Sequence, residues 1–98
     1  MHTPNHSSYR LNPATSLHWA TWDDEYVVFD EGSGRTHQMD SVRAFVLNSL
    51  YEGVQNFDKL LAELTSIPSL THDFHLIELL EAILNEFRTH GLVEVTNE

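Results

Sequence analysis

The chain has 98 residues, 41% of them apolar, which suits one domain with a single modest core. Fifteen acidic against five basic residues give a formal net charge of −10, which would repel a phosphate backbone and an anionic membrane surface. We therefore expect neither nucleic acid nor a membrane as a partner. The absence of cysteine excludes disulfides and thiolate metal sites, and it favours a cytoplasmic protein.

The first part of the chain is rich in Pro, Ser, Asn and Thr, so residues 1–15 are predicted to form a mobile N-terminal arm. It lacks the apolar core of a signal peptide. No later run reaches the roughly 18 uninterrupted apolar residues of a membrane span. The folded domain is predicted over residues 16–96.

Three strands are predicted next. Residues 17–22, LHWATW, alternate between two faces and are typical of a first strand. Residues 25–30, EYVVFD, are apolar on both faces, which favours the middle of a sheet. A glycine turn, EGSG, leads into the polar residues 35–39, RTHQM, which are typical of an edge strand. The pattern indicates a three-stranded antiparallel sheet.

Two helices follow the sheet. Either Asp40 or Ser41 can cap the first, predicted over residues 41–51 and ended by Gly53. Asn56 is predicted to cap a second, amphipathic helix with apolar residues at i, i+3, i+4 and i+7. A proline at position 68 prevents this helix from continuing.

The third helix is predicted over residues 72–90, with Thr71 as its cap and Gly91 at its end. Its apolar face spans roughly 160°, wider than the stripe of about 100° with which a helix faces one core. We expect part of that face to contact something outside the domain. Leu79 and Ile77 lie at the two edges of this face. The residues at its centre are Leu76, Leu80, Ile83, Leu84 and Phe87.

These elements together predict an α+β fold that resembles a winged helix-turn-helix, with three strands followed by three helices in the order βββααα. Leu92, Val93 and Val95 are expected to form a short C-terminal strand or an extended tail.

Five segments, in their order and spacing, resemble the PqqD-like proteins, also called RiPP recognition elements, over roughly residues 11–95. They are the hairpin TWDDEYVVFDEGSG, the junction THQMD, the helices AFVLNSLYEG and FDKLLAEL, and the terminus LLEAILNEFRTHGLVEV. Among the branches of this family, the sequence GSGRTHQMD is most similar to the PqqD-like protein of the HPr-rel-A system.

The resemblance implies a non-catalytic peptide chaperone or adaptor that needs no cofactor and no metal. Family members in peptide-modification pathways bind an extended leader peptide as an extra strand on the third strand, in a groove completed by the third helix. They present this peptide to a separate enzyme. The HPr-rel-A branch is associated with a kinase related to HPr kinase, so a leader-like peptide or an HPr-kinase-related protein is the expected partner.

The predicted site also has a physical basis, because an edge strand exposes unpaired N–H and C=O groups that strand addition would satisfy. Arg35 could pair with a peptide carboxylate, although such an arginine more often only occupies an exposed edge. Leu76 and Ile83 also fit ordinary core packing, and Leu79 fits it less well because it lies at the edge of the apolar face. The predicted peptide-binding residues are Arg35, Thr36, His37, Gln38, Met39, Leu76, Leu79 and Ile83.

Metal and catalytic sites are not expected. His72 and His75 have a spacing that can bring two imidazoles together, but the sequence places no third and fourth ligand beside them. The glycine turn joins two strands, whereas phosphate-binding glycine loops lead into a helix. We therefore predict that the chain is not an enzyme.

Other hypotheses stay open. A winged-helix transcription regulator would place the third helix in the major groove, but Glu78, Glu81 and Glu86 on its far face, against Arg88 alone, argue against DNA. In a purely structural dimerising subunit, the exposed strand edge would pair with a second copy of the chain. A small enzyme or metalloprotein is the third alternative.

Overall fold

A computed structural model of the protein describes residues 8–23, 25–68, 70 and 75–96. In this part of the chain five strands and three helices occur in the order ββββαααβ, an α+β winged-helix-like arrangement that confirms the predicted fold class. The elements are β1 Ser8–Leu11, β2 Leu17–Trp22, β3 Glu25–Asp30, β4 Arg35–Met39, α1 Ser41–Tyr51, α2 Phe57–Thr65, α3 Leu76–Thr89 and β5 Val93–Thr96.

The three-stranded sheet has the predicted antiparallel order β2-β3-β4, with the most apolar strand in the middle. Val28 of β3 lies between Trp19 of β2 and His37 of β4, and its side chain is fully buried beneath the helices. Phe29, the next residue, points to the other face and is exposed. The sheet therefore packs its helices on one face only.

The turn between β3 and β4 is fixed against the segment that precedes β2. Asp30 is only 4% exposed, and its Oδ1 accepts hydrogen bonds from the N–H groups of Ser16 (2.9 Å) and Gly32 (3.0 Å). A Cβ atom at Gly32 would clash with the carbonyl oxygen of Ala14. Glycine is therefore required here by the close approach of two backbones.

The N-terminal segment differs from the predicted mobile arm. Strand β1 pairs antiparallel with β5, and Arg10 Nη2 contacts Glu94 Oε2 at 3.0 Å. Beyond β1, the N–H of Asn12 donates to the carbonyl of Leu92. Residues 8–11 therefore form a strand where the sequence predicted a mobile arm, because they pair with a distant strand that no local pattern reveals, and the division of the chain at position 15 stays a prediction. Residues 1–7 lie outside the described residues.

Side-chain caps position the first two helices. Of the two predicted caps of α1, Asp40 and Ser41, the cap is Asp40, since its Oδ1 accepts a hydrogen bond from the N–H of Arg43 at 2.9 Å. Asn56 caps α2 as predicted, accepting from the N–H of Lys59 at 3.2 Å. Gly53, with φ 103°, reverses the chain just after α1.

Helix α3 begins later than predicted, at Leu76, and the predicted cap and first helical residue at positions 71 and 72 lie outside the described residues. His75 is the residue before the first turn and makes no side-chain cap hydrogen bond. Histidine is a weak helix former, and the apolar spacing that binds this helix to the core starts only at Leu76. The helix ends as predicted before Gly91, which has φ 77°.

One core joins the sheet, the helices and β5. Helix α1 packs on β3 and β4, whereas α3 packs on α2 and β5. The centre of the predicted apolar face of α3 is buried, Leu79 is half-buried, and Ile77 remains 54% exposed. The buried apolar residues are Val28, Met39, Ala44, Val46, Leu47, Leu50, Leu60, Leu64, Leu76, Leu80, Ile83, Leu84, Phe87, Leu92 and Val93.

The helices are short. In the described ranges the longest has 14 residues, and none is long and apolar enough to cross a membrane.

Candidate functional site

The outer edge of β4 borders an open cavity of about 280 Å³, which we call the β4 cavity. Strand β4 forms one wall, and the C-terminal end of α3 with the turn after it forms the other. The cavity is lined by Thr36, His37, Gln38, Met39, Arg43, Glu86, Phe87, His90 and Leu92.

The side chains of β4 alternate between the two faces of the sheet. Met39 is buried in the core, and His37, two residues before it, is half-buried on the same face. Arg35 continues this face at the exposed end of the strand, where its guanidinium forms no ion pair with any described residue. Thr36 and Gln38 lie on the opposite, exposed face.

Two histidines meet across the β4 cavity. The rings of His37 and His90 lie edge to face, with their centroids 5.7 Å apart. His37 Nε2 is buried and has no hydrogen-bond partner among the residues described. Burial is the main cause that lowers the pKa of His37, His90 and Arg35 lower it further, and Asp30 opposes them. His37 is therefore neutral at pH 7.

An ion-pair network connects α1 with α3 at the other end of the β4 cavity. Arg43 Nε donates to Glu86 Oε2 at 2.7 Å, and Arg43 Nη1 donates to Asp40 Oδ2 at 2.8 Å. The hydrogen bond that Arg43 donates to Glu86 is the main cause that raises the pKa of Arg43, against the effect of burial. One cation thus satisfies two carboxylates and fixes α3 beside the start of α1.

The structure brings the predicted strand residues together and separates them from the predicted helix residues. Four of the five β4 residues, Thr36 to Met39, line the β4 cavity. Arg35 lines a neighbouring cavity that shares His90 with it. Leu76 and Ile83 are buried in the core, Leu79 packs half-buried against it, and none of the three lines the β4 cavity. The role of all eight residues in peptide binding stays a prediction.

Sequence reasoning missed the α3 residues that do face β4, namely Glu86, Phe87 and the adjacent His90. Glu86 and His90 are four residues apart and therefore lie on the same side of the helix end. That spacing was the available signal, but only the tertiary arrangement shows that this end of α3 is the one beside β4.

A second open cavity, of about 400 Å³, borders the opposite edge of the sheet, and we call it the β2 cavity. Trp19, which is 36% exposed, stands at this edge. Among the residues that the structure describes, no charged side chain lines this cavity. Its lining residues are Trp19, Tyr26, Ser41, Val42, Ala44, Phe45, Asn48 and Ile67.

Across the described ranges, no group of three or more His, Cys, Asp or Glu side chains could hold a metal ion. Of the histidine pair noted in the sequence, His72 lies outside the described residues and His75 is exposed just before α3.

No protein-family model matches the sequence, and no curated protein matches it. Two solved structures are similar to it. One is TbiB1 in complex with the TbiA(beta) leader peptide, with a TM-score of 0.65 and 18% identity over 87% of this chain and 94% of that one. The other is a lasso peptide synthetase B1 complexed with the leader peptide, with a TM-score of 0.63 and 20% identity over 88% of this chain and 96% of that one.

At these identities the likeness defines the fold, a small winged-helix-like domain that covers nearly the whole of both neighbours. It agrees with the resemblance to RiPP recognition elements at the level of the fold. The HPr-rel-A branch stays a prediction.

Proposed function

We propose that this protein is a non-catalytic peptide-binding adaptor. It takes an extended segment of a partner as an added strand on β4 and presents that segment to a separate enzyme. The observation that carries this proposal is an edge strand beside an open cavity, in a fold shared with two proteins described as complexed with leader peptides.

The backbone of β4 supports this mode of binding. Among the described strands β4 pairs with β3 alone, so its outer edge offers unpaired N–H and C=O groups. An added strand would lie about 4.8 Å from β4, and every second side chain would point towards the helices. Main-chain hydrogen bonds would supply affinity that depends little on the peptide sequence.

The side chains around the β4 cavity would supply specificity. Met39, Phe87 and Leu92 form its buried apolar floor. Methionine adapts its shape to different contacts, which suits a site that receives variable side chains. The ion pair of Arg43 with Glu86 borders this floor. An apolar side chain flanked by polar groups is therefore the kind of anchor that fits here.

The buried helix residues have a supporting role in this proposal. Leu76 and Ile83 are core residues that hold α3 in place, and the half-buried Leu79 is the member of the predicted set that a partner could reach. We propose a leader-like peptide as the partner, with an HPr-kinase-related protein as the second candidate because of the resemblance of residues 32–40. Both would act in the cytoplasm.

Amide hydrogen exchange would test the mode of binding. A peptide selected from a random display library against the full chain is added, and exchange is followed by NMR. We expect protection of the amides in β4 that exchange rapidly in the free protein, with no change in β2, which is the internal control. Protection in β2, or in neither edge strand, would contradict the proposal.

A pair of variants isolates one backbone donor. Gln38→Pro removes the side chain and the N–H, whereas Gln38→Ala removes only the side chain. We expect the proline variant to bind the selected peptide about tenfold more weakly than the alanine variant, the effect of one lost hydrogen bond. Thermal unfolding checks that both are folded. Equal affinities in two folded variants would rule out this part of β4 as the docking edge.

A further inference from the structure

One arginine and two histidines lie together where the β4 cavity meets the neighbouring cavity that Arg35 lines. Arg35 and His37 are two residues apart on the same face of β4, and His90 meets His37 from the end of α3. The whole chain has only five Lys and Arg residues against fifteen Asp and Glu residues. A cluster of this kind in so acidic a protein indicates a local preference for an anion.

Two of these groups have unused hydrogen-bonding capacity. The guanidinium of Arg35 forms no ion pair with any described residue. His37 Nε2 is buried without a partner in the part of the chain that the structure describes. Buried polar atoms are nearly always hydrogen-bonded, so an orphaned one at the wall of a cavity points to a ligand that satisfies it.

The carboxylates around this cluster are already engaged. Asp30, on β3, accepts hydrogen bonds from two backbone N–H groups and is buried. Glu86, on α3, and Asp40, at the start of α1, are both held by Arg43. Of the described groups, His90, Asp30 and Arg35 act electrostatically on His37, and Arg43 and Glu86 line the same cavity. None of the three carboxylates supplies the missing partner of His37 Nε2.

We propose that the peptide bound along β4 carries an Asp or Glu side chain opposite His37, where its carboxylate pairs with a protonated His37 between Arg35 and His90. This inference rests on the proposed function, and it adds the chemical class of the peptide: one with an acidic residue at a fixed position.

Binding of this carboxylate is coupled to proton uptake. In the free protein burial keeps the pKa of His37 below its ordinary value of 6.5, so the ring is neutral at pH 7. A carboxylate beside the ring favours the imidazolium and raises that pKa. One proton is therefore taken from solvent on binding, and affinity increases as the pH falls from the pKa of the complex towards that of the free protein.

The overall negative charge of the protein acts on the association of the peptide, not on its dissociation. It repels an acidic peptide at long range and slows encounter, and salt screens this repulsion. The local pair acts after contact and governs dissociation. We therefore expect added salt to raise the association rate of an acidic peptide, even though a salt bridge forms in the complex.

The test starts from peptides selected against the full chain from a random display library at about pH 6.5, the ordinary pKa of histidine. We expect Asp or Glu to be enriched at one position. A selected peptide and its amide counterpart, in which that residue is replaced by Asn or Gln, are then compared by titration calorimetry. From about pH 8 to about pH 6 the acidic peptide should gain about tenfold in affinity with proton uptake, whereas the amide peptide should gain little.

Variants assign the effect to His37. His37→Gln should remove both the carboxylate preference, measured as the ratio of the affinities of the acidic and amide peptides, and the pH dependence of that ratio. His18→Gln is the matched control, because His18 is an exposed histidine on β2 that pairs with Glu31 and lies far from the β4 edge. This control should keep the preference for the acidic peptide.

The outcomes separate this inference from the proposed function. If peptides bind in a manner sensitive to Gln38→Pro but show no carboxylate preference, the inference is wrong and the adaptor function stands. The inference is also wrong, and the adaptor function again stands, if the preference for the acidic peptide survives His37→Gln. If no selected peptide is sensitive to Gln38→Pro, the docking edge is wrong and the inference fails with it.

Discussion

The two edges of the sheet offer similar backbones but very different side chains. The β4 cavity is bordered by two histidines and an ion pair, whereas the described residues that line the larger β2 cavity include no charged side chain. Both β2 and β4 pair on one side only with β3. An exposed strand edge therefore marks where a peptide can add, and the neighbouring side chains determine which peptide is accepted.

The difference arises from the elements that cover each edge. Helix α1 runs beside β2 with its apolar side chains, including Val42 and Phe45. At β4 it is the end of α3 and the following turn that close the cavity, with polar side chains at Glu86 and His90. The polar character of the β4 cavity therefore comes from these side chains, because the carbonyls of Glu86, Phe87 and Arg88 already accept hydrogen bonds from the turn that follows.

The largest expected effect compares a floor residue of the β4 cavity with a rim residue of the β2 cavity. Phe87 is 2% exposed, so Phe87→Ala should lower the free energy of unfolding by about 3–5 kcal/mol. Trp19 is 36% exposed, and Trp19→Ala should cost about 1 kcal/mol. Urea unfolding measures both. Equal losses would show that the two cavities are equally integrated into the core.

A smaller effect is expected at Asp30, which anchors the turn leading into β4. Burial alone would raise the pKa of Asp30, but hydrogen bonds from Ser16, Ser33 and Gly32, with the charge of His37, lower it overall. Asp30→Asn removes this charged acceptor and should cost about 1–2 kcal/mol at pH 7.

The pH dependence of Asp30 has a defined sign. The pKa of the Asp30 carboxyl is lower in the folded protein than its unfolded value of 3.8. Asp30 therefore stabilises the fold fully above pH 3.8, and this contribution is lost as the pH falls from 3.8 through the pKa of the folded protein. The wild type should therefore lose more stability below about pH 4 than Asp30→Asn does. Glu31→Gln, at the exposed neighbouring position, is the control, and an unchanged acid profile in Asp30→Asn would contradict the assignment.

The smallest expected effect lies within the β4 cavity. Replacing His90 by Gln removes a like-charged neighbour and should raise the pKa of His37. The pKa should still stay below the ordinary value of histidine, because burial lowers it more than His90 does. NMR titration of the His37 ring measures this directly. No response of His37 to His90→Gln would mean that the two rings do not interact in solution.

Local patterns in the sequence were sufficient to predict the strands and helices that depend on residues close together in the chain. The three-stranded sheet follows from alternation and the glycine turn, and the side-chain caps at Asp40 and Asn56 fix where α1 and α2 begin. The spacing of Leu80, Ile83 and Leu84 predicted which side of α3 is buried. These features depend on residues within a few positions of one another.

The parts that could not be predicted depend on contacts between distant residues. Pairing of β1 with β5 joins Arg10 to Glu94, 84 residues apart, and no local pattern marks it. The wall of the β4 cavity was likewise assigned to Leu76, Leu79 and Ile83 from their apolar character, whereas the packing of α3 brings its C-terminal end to β4. Of the residues that line the β4 cavity, those of the strand could thus be predicted from local pattern and those of α3 could not, and the role of either set in peptide binding stays a prediction.

The pairing of β1 with β5 also has a consequence for the order of folding. Closing so long a loop costs more entropy than closing a hairpin, so the two ends of the chain meet after the sheet and helices have formed. Because β1 precedes all the other described elements and β5 follows them, β1 has to wait during synthesis until the sheet and the three helices have been made. The pairing of β1 with β5 is therefore the last of the described contacts to become available.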